Sequence, residues 1–367
     1  MKVAIFASSL EPGGAERVAL NLANAFLAAG KAVDLVLVKA KGDLLAEVPA
    51  PIQIVDLEAP RVRSSIAAFR NYVRDRRPDA VLAINFDVNL AASIARIGMK
   101  KKPLLVLSVH MPLPAWLAGS SRVGRSLKSR ISRLLYRRAD RVVAVSGGIA
   151  AELVRSGWTN EAQTRVIHNP ALPDRLEALA AEPAGHPWLL DLGIPCIVTL
   201  GRLTPLKNQA LLIQAFERVV RDRDARLLIV GEGECREALC LQILEAGLTG
   251  TVDLTGHVAN PFPILKAADL FVLSSDWEGF GNVLVEAMAV GTPVVATDCP
   301  YGPREILEDG KWGRLVPSGN ADALASAILE ALDRPGPKGA ARALQFNIAS
   351  KAAEYLELIE TGLAAAK

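Results

Sequence analysis

Short runs of consecutive apolar residues, rich in Val, Ile and Leu, recur along the chain. They alternate with stretches in which apolar residues return every three or four positions. KVAIFAS (2–8), AVDLVLV (32–38), DAVLAIN (79–85), PLLVLSV (103–109) and DRVVAVS (140–146) read as strands, and AERVALNLANAFLAAG (15–30) as a helix closed by Gly30. Strands without an alternating polar face, separated by helices, predict a parallel sheet covered on both sides. The series restarts with PCIVTLG (195–201), ARLLIVGEG (225–233), TVDLTG (251–256), DLFVLSS (269–275) and TPVVATD (292–298). Residues 173–194 are proline-rich and aperiodic, which places a linker there, and NIASKAAEYLELIETGLAAA (347–366) predicts a closing helix. The expected fold class is α/β, with two doubly wound parallel-sheet domains over 1–172 and 195–346. Open sheets of this kind bind ligands beyond the C-terminal ends of their strands, so two facing domains would form a binding cleft.

Composition narrows the class without altering the organisation. A chain of 367 residues exceeds one ordinary core. No apolar run approaches the eighteen or so residues that would cross a bilayer. The opening MKVAIFASSLEPGG reads as a first strand and turn, not as a signal peptide. Four cysteines (Cys196, Cys235, Cys240, Cys299) without CxxC spacing point to reduced thiols in a cytosolic protein. Four scattered histidines (His110, His168, His186, His257) show no HxxxH pattern, so no metal site is expected. Charge is uneven: residues 1–170 carry 25 Lys and Arg against 13 Asp and Glu, whereas 171–367 carry 17 against 26. The first half is thus expected to meet something anionic.

The chemistry concentrates in EGFGNVLVEAMAVGTPVVATDCP (278–300). A predicted strand runs into a glycine-rich bend, and a helix begins near Asn282. Gly279 and Gly281 permit a tight turn and close backbone approach to a ligand. The unpaired N–H groups at the helix start, near Gly281, Asn282 and Val283, suit a phosphate. Glu286, about one turn in, sits among Val283, Leu284, Val285, Ala287 and Met288, where a carboxylate is costly unless paired. It could grip two vicinal hydroxyls of a ribose. Glu278, before the bend, would face a sugar. GRLTPLKN (201–208) brings Arg202 and Lys207 to another strand end, where cations could stabilise a departing diphosphate. PGGAER (12–17) opens a helix at Gly14, a further anion-binding geometry.

PGGAER, AVSGGIAAEL, GRLTPLKN, VGEG and above all EGFGNVLVEAMAVGTPVVATD resemble, in order and over nearly the whole chain, the family 4 glycosyltransferases of GT-B fold. The resemblance implies two Rossmann-like domains, with helix 347–366 crossing back onto the first. It implies an N-terminal acceptor domain and a C-terminal nucleotide-sugar domain. It implies retaining, metal-independent transfer from a nucleotide sugar, with no cofactor. By that match Glu286 binds the ribose, and Glu278, Gly279 and Phe280 meet the donor sugar. Arg202, Lys207, Gly14, Gly281, Asn282 and Val283 hold the diphosphate. His110, in LSVHMP, lies near the sugar, though Val109 and Met111 flank it where the family often has an acidic residue and an asparagine. The catalytic candidates are Glu278 and His110.

Residues 96–139 contain eleven Lys and Arg and no Asp or Glu. Within 116–140, Val123, Leu127, Ile131, Leu134 and Leu135 recur at helical spacing, flanked by Arg122, Arg125, Lys128, Arg130 and Arg133. A basic amphipathic helix can lie on an anionic bilayer. The alternative is a core-facing helix with a solvated basic back. Aromatic residues are sparse and no binding motif appears, so no nucleic-acid partner is expected. The reading is a peripheral enzyme at the cytoplasmic membrane face that modifies a lipid-linked or glycan acceptor. TDCPYGPREIL (297–307) resembles enzymes that extend lipid-linked glycans, which favours a UDP sugar, a UDP-N-acetylhexosamine among the candidates. A GDP-mannose-type mannosyltransferase, a GT-B nucleotide-sugar epimerase and a non-catalytic nucleotide-binding module are the competing readings.

Overall fold

Strand β1 (Lys2–Ala7) pairs in parallel with β2 (Ala32–Leu37) on one side and β4 (Ala80–Ile84) on the other. Around this centre the sheet extends through β3 (Gln53–Asp56), β5 (Leu104–Val109), β6 (Arg141–Ala144) and β7 (Thr164–Val166). Its seven strands run in the order β3-β2-β1-β4-β5-β6-β7. The second sheet is built alike. Strand β8 (Cys196–Leu200) lies between β9 (Arg226–Val230) and β11 (Leu270–Leu273), followed outward by β10 (Val252–Gly256), β12 (Val294–Thr297) and β13 (Arg314–Val316). All pairings are parallel. This computed structural model describes residues 1–117, 122–191 and 193–365, with backbone alone for 122–125 and 127.

Two compact units result: Met1–Pro170 with Ile348–Lys367, and Ala171–Asn347. The strands that hydrophobic runs predict are the buried ones, except β10, an edge strand half-buried along its middle. The pattern does not mark β3, β7 and β13, and each is short and at a sheet edge. An edge strand meets one neighbour and less core, so it does not need an apolar run; Ile54 and Val166 are exposed.

The aperiodic stretch 173–194 clusters with the second unit. It holds a short helix, Leu176–Ala180. Asn260 Nδ2 donates to Leu179 O at 2.9 Å, His186 Nε2 lies 3.1 Å from Asp253 Oδ2, and Arg226 pairs with Asp191 at 2.9 Å. These contacts are polar and long-range, which is why apolar periodicity misses them.

Helix Ile348–Ala365 returns the chain to the first unit. It buries Tyr355 and Ile359 in the same core as Leu104 and Val106 of β5. Full burial of such a side chain is worth about 1.5–3 kcal/mol. Its Gly362 lets the backbone approach Leu104: a Cβ there would lie 2.9 Å from the leucine methyls.

Candidate active site

In the second unit the strand order reverses between β8 and β11. The loops leaving these two strands, 201–208 and 274–281, therefore meet at the place where open sheets bind ligands. They are tied together at four points. Asp276 N donates to Leu206 O at 2.9 Å, and Ser274 Oγ to Lys207 O at 3.1 Å. Asn208 Nδ2 donates to Asp276 Oδ1 at 3.0 Å, and Lys207 Nζ to Glu278 Oε1 at 2.5 Å.

Asn208 also starts the next helix, Gln209–Asp222. It takes the left-handed conformation (φ 46°, ψ 47°), and its Oδ1 accepts from Leu211 N at 3.1 Å. Such a cap contributes about 1 kcal/mol. The helix buries Leu211, Leu212, Ala215, Phe216 and Val219, so the loop before it is anchored to the core. One asparagine thus links the core, the lysine loop and the glutamate loop.

Glu278 is buried, 7% exposed at the side chain. Ser275 Oγ donates to the same Oε1 at 2.7 Å, and Thr297 Oγ1 donates to Ser275 O at 2.6 Å. Both bonds from the described residues end on Oε1, so Oε2 is the oxygen left for a ligand. Cys299 lies close by. Burial first, then the Glu278 charge, pushes its thiol up to about 12. It is a protonated, inert neighbour.

The bend after Glu278 leads into helix Asn282–Ala289, whose N-cap Gly281 is left-handed (φ 106°, ψ 55°). Gly302 (φ 85°) backs this bend so closely that a Cβ would lie 1.9 Å from Phe280 O. The Phe280 ring is buried edge-on to Phe346, with centroids 5.2 Å apart, so what Phe280 can offer a ligand is its backbone. Val283 is buried and Asn282 and Glu286 are half-buried on this helix. Arg202 is exposed, and among the described residues its guanidinium has no ion pair.

The other candidates lie in the first unit. Gly14 begins helix Gly14–Ala28 after β1. His110 follows β5, its Nε2 2.8 Å from Ser108 Oγ. Burial lowers its pKa to about 4, so the ring is neutral near pH 7.

Helix Arg122–Tyr136 buries Leu135 of the expected stripe together with Ser132 and Tyr136, while the side chains of Val123 and Leu127 lie outside the described residues. Ile131 and Leu134 are 49% and 53% exposed, beside exposed Arg130 and Arg133. Lys128 departs from the basic face: its Nζ lies 3.6 Å from the centroid of the Trp116 ring. The side chains of Arg122 and Arg125 lie outside the described residues. Among the described residues no helix is long and apolar enough to cross a membrane.

Ser274, Ser275, Asn208, Asp276 and Gly302 were not legible as site residues. Their sequence signal was adjacency to the LKN and EGFG segments, and nothing in the order of residues says that loops some seventy positions apart touch.

With this geometry in hand, similarity to known proteins becomes specific. The family described as Glycosyltransferase Family 4 matches residues 12–175, and that described as Glycosyl transferases group 1 matches 194–334. The chain is 30% identical over 327 residues to the lipopolysaccharide core biosynthesis glycosyltransferase LpsE of Rhizobium meliloti, covering 86% of this chain and 84% of that one. It is 29% identical over 346 residues, 90% of each chain, to the N-acetylgalactosamine-N,N'-diacetylbacillosaminyl-diphospho-undecaprenol 4-alpha-N-acetylgalactosaminyltransferase of Campylobacter jejuni. In structure it resembles HepE of Anabaena, solved in complex with UDP-glucose, with TM-score 0.84 at 23% identity over 98% of this chain and 100% of that one. The two parallel sheets and these matches define a glycosyltransferase of the GT-B fold. The chain belongs to glycosyltransferase family 4.

Proposed function

We propose that this glycosyltransferase moves a sugar from a UDP-linked donor to a lipid-linked or glycan acceptor, with retention at the anomeric carbon and without a metal. The observation that carries the reading is the Lys207–Glu278 pair at the strand-order reversal, one side chain suited to phosphate and the other to sugar hydroxyls. An ammonium has three N–H donors; one is given to Glu278, which leaves two for a diphosphate. Arg202 adds a second cation at the same loop, so the leaving group's charge is met by side chains. Glu286 is the ribose ligand in this reading, and the Gly281–Val283 backbone receives phosphate oxygens.

The UDP assignment draws support from HepE, solved with UDP-glucose. The acceptor class draws support from the undecaprenol-linked acceptor in the Campylobacter relative's name and the lipopolysaccharide core in the Rhizobium one. The exposed Ile131 and Leu134, next in sequence to Arg130 and Arg133, fit an anionic bilayer surface at the cytoplasmic face.

In the favoured course, the acceptor oxygen bonds to the anomeric carbon on the face from which the diphosphate leaves. The carbon–oxygen bond to phosphate breaks, and a phosphate oxygen takes the acceptor's proton. The test is a panel of UDP- and GDP-sugars with a polyprenyl-diphosphate-linked acceptor, with and without EDTA. Product NMR gives the anomer. An EDTA-resistant α-linked product from an α-UDP-sugar is expected. An inverted anomer, loss of turnover in EDTA, or use of GDP-mannose alone would each sink the corresponding part. Epimerised donor formed without acceptor would identify an epimerase instead.

A further inference from the structure

The first unit contains a hydrogen-bond chain outside the donor-site loops. Ser108 and His110 are two residues apart at the end of β5, so their side chains share one face of the sheet. That face is covered by helix Ile348–Ala365, which presents Tyr355. Ser108 Oγ lies 2.8 Å from His110 Nε2 and 3.1 Å from Tyr355 OH. Ser108 and Tyr355 are fully buried. The second ring nitrogen, Nδ1, is buried without a hydrogen-bond partner among the described residues.

Counting protons selects one arrangement. The serine hydroxyl has a single hydrogen and two lone pairs. If Tyr355 donates to Ser108, and Ser108 donates to Nε2, both contacts are made and the one orphan is the Nδ1 hydrogen. If Nε2–H donates to Ser108 instead, Ser108 must turn its hydrogen to Tyr355 or leave it unused. Either way a buried hydroxyl hydrogen is stranded, and the Nδ1 lone pair with it. An unmade hydrogen bond in a buried site biases such a choice by about tenfold or more. Burial also raises the Tyr355 phenol, which keeps its hydrogen on the oxygen, and holds the imidazole neutral.

We propose that Ser108, held in turn by Tyr355, fixes His110 as the tautomer protonated on Nδ1, so that the ring has no free lone pair with which to take a proton. Nε2 then spends its lone pair on Ser108, and Nδ1 has none to offer. Ser108 is the positioning residue, and Tyr355, contributed by the terminal helix, is its second hydrogen-bond partner. This inference rests on the placing of His110 in the site only for its catalytic consequence; the tautomer stands apart from it.

The test is long-range proton–nitrogen NMR of the full chain with labelled histidine near pH 7, which reports the protonated ring nitrogen directly. Wild type is expected to show Nδ1–H for His110. Ser108→Ala is expected to narrow the tautomer ratio by about tenfold, because a stranded hydroxyl hydrogen then no longer distinguishes the two tautomers, whereas Tyr355→Phe leaves the serine hydrogen stranded opposite Nε2–H and should keep the wild-type preference. Nε2–H in wild type, or an unchanged ratio in Ser108→Ala, overturns the proposal. Wild-type turnover in His110→Ala, with Nδ1–H confirmed in the parent, removes His110 from the site and leaves the relay standing.

Discussion

Lys207 Nζ and Glu278 Oε1 meet at 2.5 Å across two loops of one sheet. The lysine side chain is 28% exposed and the glutamate 7%, so the pair is half in water from one side only. Removing the cation strands the buried partner. Lys207→Met should lower unfolding stability by about 1–3 kcal/mol, less than for a fully buried pair because water reaches the lysine side. It should also reduce kcat/KM by about 100-fold or more, as expected for losing a charge aimed at the leaving group. Urea unfolding and steady-state kinetics check both; full activity would remove Lys207 from the donor site.

Glu278→Gln keeps the side chain's shape and removes its charge. Turnover should fall by about 100-fold while stability changes less than in Lys207→Met, since the lysine retains water as an alternative. Ser275→Ala, which removes one donor from the same oxygen, should cost about 1 kcal/mol in kcat/KM. Near-normal turnover of the glutamine variant would remove any essential role for the carboxylate.

Gly302 has a positive φ, and its Cα faces the Phe280 peptide. Gly302→Ala should destabilise the protein by about 2 kcal/mol or more, from the strained backbone and the clash together. Donor KM should rise, because the Phe280–Asn282 backbone must shift. Thermal unfolding with and without UDP separates the two: an unshifted UDP response would show that the bend does not bind it.

The pKa of His110 is depressed from its usual 6.5 to about 4 by burial. The unfolded chain therefore binds a proton before the folded one does. The contribution to stability is fully present above about pH 6.5 and is lost as pH falls towards 4, by about 3 kcal/mol in all. His110→Asn should flatten this part of the stability–pH curve, measured by urea unfolding between pH 4 and 7. An unchanged slope would assign it to other groups.

Ile131 and Leu134 are exposed in the free protein, so replacing both by glutamate should leave stability within about 0.5 kcal/mol per site. Binding to phosphatidylglycerol-containing vesicles should drop sharply, and Arg130 and Arg133 to alanine should lower it by about 1 kcal/mol each. Co-sedimentation decides: binding that is absent in wild type, or indifferent to anionic lipid, removes the membrane role.

The order of residues alone determined the buried strands, the two-sheet organisation and the chemically costly residues. Runs such as AVLAI (80–84) and CIVTL (196–200) are strand-like because both faces must be apolar, a demand written locally. Glu278 and Lys207 stood out because glycine bends and charged residues at strand ends are local patterns too. Edge strands β3, β7 and β13 left no such mark, since partial exposure relaxes the demand. Only the tertiary structure decided that Lys207 reaches Glu278, that Asn208 and Asp276 join their loops, that Tyr355 meets Ser108, and that Ile131 and Leu134 face outward. Those outcomes depend on which strands become neighbours and which helix face turns inward. Both are settled by packing over the whole chain, and no short stretch of it records the choice.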